Sequence, residues 1–410
     1  MINLEIPRKF APLVSQAHQV ATEVFRPISR KYDLAASSPE GEHQYPKELD
    51  MLASLIDGMN AGSDIGGAGA AGVRRDAGSA REAGNRNGTN LSTVLGIMEL
   101  CWGDVGLLLS MPRQGLGNSA IASVASEEQL QRFEGRWAAM AITEPEAGSD
   151  SAAIRTTAVR DGDEYVLNGE KIYVTSGERA DLVVVWATLD RAKGRAAIKS
   201  FVVERENPGL KLERLEHKLG IRASDTAAFR LEDCRVPMQD MLGNPDVDVK
   251  QGFGGAMQTF DNTRPLVAGM AVGLTRACLE ETRDWLAQAG VEVDDTAPAL
   301  TQHAAAARLQ GMEADYEAAR LLTLQAAWMA DNGKPNSLQA SMAKAKAGRT
   351  CVNVALGCVE LCGSLGYGEG GLLEKWARDA KILDIFEGTQ QIQLLIVARL
   401  LLGKTSAELR

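Results

Sequence analysis

Residues 164–188, EYVLNGEKIYVTSGERADLVVVWAT, break into brief runs at Glu164–Leu167, Lys171–Val174 and Leu182–Thr188. Short runs rich in Val, Tyr and Trp and bounded by turn residues read as strands. The pattern extends outward through Ile198–Glu204, Leu210–Leu215 and Thr226–Leu231, with Asp161-Gly162, Asn168-Gly169 and Gly194-Arg195 as turn signals. No helical segment alternates with these runs, so they predict an antiparallel β unit rather than a parallel sheet.

On both sides the texture is helical. Upstream, Ala11–Ser29 is a helical candidate running past Pro27, and Lys47–Met59 carries Leu49, Leu52, Leu55 and Ile56 at helical spacing. A further helix-rich run extends from Leu91 to Gln131. Helical texture returns at Gly252, and Pro265 is expected in the first turn of a long helix, where a missing N–H costs nothing. Leu309, Met312, Tyr316 and Ala319 mark a buried stripe, and Asn332-Gly333-Lys334-Pro335 ends that helix. The predicted class is α+β, mostly α: an N-terminal helical domain (1–135), a middle antiparallel β domain (136–245) and a C-terminal helical bundle domain (246–410).

With 410 residues, 45% hydrophobic and 24% charged, the chain has an ordinary globular composition and a length suited to roughly two to four packed units. A net charge of −10 argues against nucleic acid or an anionic membrane as partner. Any phosphate-bearing ligand must be held by local arrangements against that background. No uninterrupted apolar run reaches the roughly eighteen residues of a membrane span, and the first residues do not resemble a signal peptide. Six cysteines without a Cys-x-x-Cys pair suit the reducing cytoplasm. Cys351, Cys358 and Cys362 share a helical face and read as small buried hydrophobes rather than metal ligands, and no metal is expected. Gly67-Ala68-Gly69-Ala70-Ala71-Gly72 matches a dinucleotide fingerprint but lacks the flanking strand and helix, so it reads as a surface loop.

Three separated segments carry chemistry. The first is Thr143-Glu144-Pro145-Glu146-Ala147-Gly148-Ser149-Asp150, a turn whose small residues and hydroxyls allow close approach to a polar ligand. The second is Asn168-Gly169-Glu170-Lys171-Ile172-Tyr173-Val174-Thr175-Ser176-Gly177. The third runs from Arg378-Asp379-Ala380-Lys381-Ile382 through Phe386-Glu387-Gly388-Thr389-Gln390-Gln391-Ile392-Gln393. Together they resemble the acyl-CoA dehydrogenase family, with Lys218-Leu219-Gly220-Ile221-Arg222 and Phe260-Asp261-Asn262-Thr263-Arg264-Pro265 as further matches, over most of the chain from Tyr45-Pro46 onward. The resemblance implies a helical domain, a β domain and a C-terminal four-helix domain. It also implies FAD, oxidation of an acyl-CoA to the trans-2-enoyl-CoA, and an electron-transferring flavoprotein as acceptor.

Removing an α-proton needs a base whose pKa is raised toward neutrality, and donors where enolate charge develops. By resemblance Glu387 is that base, its own N–H helps to polarise the thioester, and Gly388 lets substrate approach. The apolar stripe of Ile392, Leu395, Ile396 and Leu402 places Glu387 just before a helix. Some branches carry the base on the helix near Arg264, but here Thr263 stands there. The resemblance assigns flavin contacts to Met140, Ile142, Thr143, Ser149, Tyr173 (usually tryptophan), Thr175, Gly363, Ser364, Thr389 and Gln391. Ser149, Asp261, Arg264 and Gly388 are assigned to the substrate.

The pattern breaks in three places. An Arg-x-x-Phe-Gly motif that reaches a neighbouring subunit's FAD is replaced by Ala287-Gln288-Ala289-Gly290-Val291-Glu292-Val293-Asp294-Asp295-Thr296. A glutamine that touches FAD is Glu360, and a Gly-Gly pair is Gly363-Ser364. Each lost charge-assisted hydrogen bond is worth about 1.5–3 kcal/mol. The expected assembly is therefore a homotetramer, or a heterotetramer in which a related chain supplies the arginine. The alternatives are a partner subunit with an incomplete FAD site, and a flavin oxidase or monooxygenase on the same fold.

Overall fold

The computed structural model describes residues 6–35, 43–60, 88–112, 116–244, 246–247, 254–405 and 408, without the side chains of 54–60 and 254–262. The Gly67–Gly72 segment and the Asp261 side chain lie outside that description.

Helices α1 (Ala11–Val20) and α2 (Arg26–Ala35) form one rod joined by a π-helical turn over Ala21–Phe25. The wide turn falls where the Pro27 ring would otherwise press on a carbonyl four residues back. Helices α3 (Lys47–Asn60), α4 (Thr89–Gly103), α5 (Val105–Ser110), α6 (Leu116–Val124) and α7 (Glu127–Arg132) follow. A capping box between Ser126 and Gln129 starts α7.

The strands are β1 (Ala138–Ala141), β2 (Thr157–Asp161), β3 (Glu164–Thr175), β4 (Leu182–Thr188), β5 (Ile198–Glu204), β6 (Leu210–Leu215), β7 (Thr226–Pro237) and β8 (Met241–Leu242). They form one sheet in the order β6-β7-β3-β2-β4-β5-β8, with β1 on β4. Two expectations need correction. The sheet is antiparallel except that β1 lies parallel to β4 and Thr157 pairs with Thr188 in parallel sense. Ala138–Ala141 is too small-chained to announce itself as a strand. In addition, Glu164–Leu167 and Lys171–Val174 are one strand, because Asn168-Gly169 makes a bulge rather than a turn. Asn168 accepts the Asp233 N–H at 2.8 Å there, and a Cβ on Gly169 would lie 2.5 Å from Thr156 Oγ1. Strand β4 is buried throughout. Val183, Val185 and Ala187 pack with Phe201 on one face, while Leu182 and Val184 meet Ala120, Ile121 and Phe133 on the other.

Helices α8 (Gly254–Gln288), α9 (Ala304–Asp331), α10 (Ser337–Tyr367), α11 (Leu373–Leu383) and α12 (Gln390–Leu402) complete the chain. Pro265 is inside α8, not in its first turn. The helix carries on through it because only one backbone bond is forfeited while the apolar face stays packed. Helix α10 is central, touching α8, α9, α11 and α12. By length and composition it is apolar enough to cross a membrane, yet here it is the core helix of the bundle. Core residues of α4 (Val94, Ile97, Cys101) and of the bundle (Leu274, Cys351, Trp376) belong to one cluster, so both helical regions share a core.

A buried polar joint ties the three regions together. Lys375 on α11 pairs with Asp104, before α5, and with Asp379 at 2.7 Å, all three being at most 1% exposed. Asp379 also accepts the Ile221 N–H from the loop before β7. Gly220 in that loop is pressed so close to Arg378 that a Cβ would lie 2.5 Å from its backbone. Paired and hydrogen-bonded in this way, the buried charges are compensated and their geometry is fixed.

Candidate active site

The turn between α11 and α12 is where local sequence and tertiary packing meet. Phe386 N–H closes the end of α11 on Ile382 O at 3.0 Å, and the Thr389 side chain accepts from Ile392 N at 3.4 Å to start α12. Between these caps Glu387 has φ 57° and Gly388 φ 93°. Left-handed backbone costs a non-glycine residue about 1–2 kcal/mol, so surrounding contacts must enforce it at Glu387. Gly388 has its own reason: a Cβ there would lie 2.4 Å from Gln393 Nε2.

Side chains from three helices surround this turn. Thr263 Oγ1 on α8 donates to Glu387 Oε2 at 2.8 Å. Beside it Arg264 is 3% exposed. Lys344 on α10, fully buried, donates from Nζ to Gly388 O at 2.7 Å. Gln393 on α12, also fully buried, donates from Nε2 to Glu387 O at 3.0 Å and to Gly388 O at 3.3 Å. Burial pushes the half-buried Glu387 carboxyl up, against the opposing pull of the Thr263 hydrogen bond and the Arg264 and Lys344 charges. Burial likewise pushes Lys344 down to about 8, with Asp384 and Glu387 opposing and Arg264 assisting. Among the described residues the Glu387 N–H has no acceptor. A carboxyl whose pKa burial raises, beside an N–H without an acceptor among the described residues, suits proton abstraction next to a carbonyl.

A second cluster lies in the β domain. Glu144, buried, accepts from Arg155 N at 2.6 Å, Thr156 N at 3.0 Å, Thr156 Oγ1 at 2.6 Å and Lys171 Nζ at 2.6 Å. Lys171 also donates to Ile142 O at 3.2 Å, and Ile172 N donates to Thr143 O at 2.9 Å. These bonds stitch the Thr143–Asp150 loop to β3. The β3–β7 register slips between Lys171 and Val174, and Tyr173 at the slip has φ 59° and is 62% exposed. Ser149 is exposed, and Met140, Ile142, Thr143 and Thr175 are half-buried. An open aromatic face near threonine hydroxyls and loop backbone fits a flat ring with polar edges.

Two family models cover most of the chain. Residues 139–234 match the family model described as acyl-CoA dehydrogenase, middle domain, and residues 250–402 match acyl-CoA dehydrogenase, C-terminal domain. The chain belongs to the acyl-CoA dehydrogenase family. It is therefore an oxidoreductase with FAD as cofactor. A short-chain specific acyl-CoA dehydrogenase of Clostridium acetobutylicum is 35% identical over 78% of this chain and 84% of its own length. Butyryl-CoA dehydrogenase of Megasphaera elsdenii superposes with TM-score 0.82 at 29% identity, over 98% of this chain and all of that one (100%). A chain solved in work on the electron-transferring flavoprotein of Acidaminococcus fermentans superposes at 0.79 with 29% identity, covering 98% and 100%.

The remaining site candidates of this acyl-CoA dehydrogenase are Gly363, Ser364, Thr389 and Gln391. Gly363 interrupts α10 at φ 57°, ψ −131°, and it and Ser364 are exposed. Gln391 is exposed in the first turn of α12, and Thr389 serves as its cap. In the acidic stretch after α8, Asp294 accepts from Thr296 N at 2.8 Å and Thr296 Oγ1 at 2.6 Å. Arg283 holds Asp295 at 2.9 Å and Glu313 at 2.6 Å, and Arg308 pairs with Glu360. Asp295, Glu313 and Glu360 thus occupy arginines of their own chain. Sequence reading missed Thr263 as a donor, gave Gln393 no role although it closes the quoted motif, and missed Lys344 altogether. Lys344 left one trace, a lysine set between Ala343 and Ala345, all three buried on α10.

Proposed function

We propose that Glu387 takes the α-proton of an acyl-CoA thioester while the β-hydrogen leaves as hydride, giving the trans-2-enoyl-CoA. The electron pair of the α-C–H bond becomes the new π bond. FAD, when bound, supplies the hydride acceptor, and Met140, Ile142, Thr143, Ser149, Tyr173 and Thr175 are the residues that would hold it in this chain. The observation that carries the reading is Glu387: a desolvated carboxyl in a left-handed turn, restrained by Thr263, whose own N–H lacks an acceptor among the described residues. The N–H would then accept the developing charge on the thioester oxygen. Arg264, buried beside Glu387, keeps positive potential at the same place.

The named relatives act on short acyl chains, so butyryl-CoA is the first substrate to test. Anaerobic titration of the wild type with butyryl-CoA and longer thioesters should bleach the flavin, while Glu387→Gln should slow bleaching by about 10²–10⁴-fold. Bleaching at the wild-type rate in Glu387→Gln would refute the assignment. We further propose an electron-transferring flavoprotein as acceptor and a tetramer as the working state. The assembly is supported by exposed apolar side chains on α12, where Leu394, Leu395, Leu400, Leu401 and Leu402 are 49–64% exposed.

A further inference from the structure

We propose that Lys344 and Gln393 are positioning residues that lock the Glu387–Gly388 turn in its left-handed conformation, so that the base and its N–H are presented together. This deepens the reading of Glu387 as base and rests on it.

The turn contains consecutive residues with positive φ, and for Glu387 that conformation is uphill. The flanking bonds, including Gln390 N to Asp384 O at 3.1 Å, close the loop around the pair but leave both of its carbonyls to other donors. What engages Glu387 and Gly388 themselves is a pair of side chains arriving from different helices. Lys344 Nζ reaches Gly388 O at 2.7 Å from α10. Gln393 Nε2 reaches Gly388 O at 3.3 Å and Glu387 O at 3.0 Å from α12. Both carbonyls are therefore claimed by donors that are fully buried and have little room to move. A relaxed turn would swing those carbonyls away and leave a buried ammonium and a buried amide with fewer partners, which is costly. Gly388 completes the device, since a Cβ there would collide with the Gln393 amide.

The chemistry of Lys344 adds a second effect. The charged groups facing Glu387 are Arg264 from α8 and Lys344 from α10, with Asp384 from the turn facing Lys344. The ammonium therefore favours the carboxylate form of the base as well as fixing its backbone. An amide at this position would keep a donor and lose the charge, so the two effects separate experimentally.

The variants are Lys344→Met, Lys344→Gln and Gln393→Leu, each as purified FAD-loaded enzyme, with Glu387→Gln as the reference for the base itself. Lys344→Met should lower kcat per bound flavin by about tenfold or more while KM changes by only a few-fold, because the lost interaction shapes the transition state. Its acid limb should move to higher pH, as should that of Lys344→Gln, which should recover part of kcat. Gln393→Leu should lower kcat without moving the acid limb, and keeps the proposal testable should the Lys344 variants not fold. Hydrogen exchange at residues 385–389 should quicken in Lys344→Met and Gln393→Leu, a readout independent of turnover. Wild-type kcat per flavin and unchanged exchange in Gln393→Leu and whichever Lys344 variants fold would overturn the proposal. Wild-type bleaching in Glu387→Gln would instead overturn the base assignment, so the two failures are distinguishable.

Discussion

Thr263 Oγ1 donates a 2.8 Å hydrogen bond to Glu387 Oε2, joining residues 124 positions apart. The hydroxyl opposes the effect of burial, which raises the carboxyl pKa. The carboxyl proposed as base is thus tuned from opposite directions, by burial and by a donor.

Replacing Thr263 by valine keeps the shape and removes the donor. The carboxylate loses stabilisation, the Glu387 pKa rises, and a smaller fraction is ionised at a given pH. A hydrogen bond to a charged group is worth about 1.5–3 kcal/mol, so the acid limb of kcat should move up by roughly one to two units. Activity should approach the wild-type level on the alkaline side. An acid limb that stays in place would exclude Thr263 from tuning the base.

Gly388→Ala places a methyl where φ is 93° and where the nearest atom, Gln393 Nε2, is only 2.4 Å away. Gln393 must then withdraw from the carbonyls it serves, or the turn must change. A loss of about 1–3 kcal/mol in urea unfolding is expected, together with lost turnover. Stability within error of wild type would show that the turn tolerates a side chain.

The Glu144–Lys171 pair predicts an asymmetry. Lys171→Met leaves Glu144 with its Arg155 and Thr156 donors, whereas Glu144→Gln leaves a buried ammonium facing an amide and the Ile142 carbonyl. Glu144→Gln should therefore be the more damaging, by up to about 3–5 kcal/mol if the charge persists. The sign of the pH effect also follows. Burial lowers Lys171 from 10.5 to about 8, with Glu144 opposing, so the folded state binds fewer protons than the unfolded one in that window. Wild-type stability should gain from this group as pH rises from about 8 to 10.5, and Lys171→Met should flatten the gain. Lys218 and Lys344, also pushed down to about 8 by burial, should preserve part of it. Equal slopes in wild type and Lys171→Met would contradict the assignment.

The chain purified alone should carry less than one FAD per subunit, rising when a related chain with the missing arginine is co-expressed. The motivation is that Arg283 and Arg308 are committed to Asp295, Glu313 and Glu360 of their own chain. Flavin absorbance against protein concentration measures the ratio. Stoichiometric FAD in a homo-oligomer would end the heteromeric reading.

By itself the sequence determined the order of helices, strands and helices, because hydrophobic period and turn residues are local properties. It also located Glu387 and the Thr143–Asp150 loop, whose motifs are contiguous. It misjudged Pro265 and the Asn168-Gly169 bulge, where packing and pairing override a local stop signal. Tertiary structure alone decided the company Glu387 keeps. Thr263, Arg264 and Lys344 come from distant helices, and no periodicity in one segment records which residue of another it will face. Desolvation, which raises the pKa of the Glu387 carboxyl, is likewise a property of the assembled surroundings and belongs to no single residue.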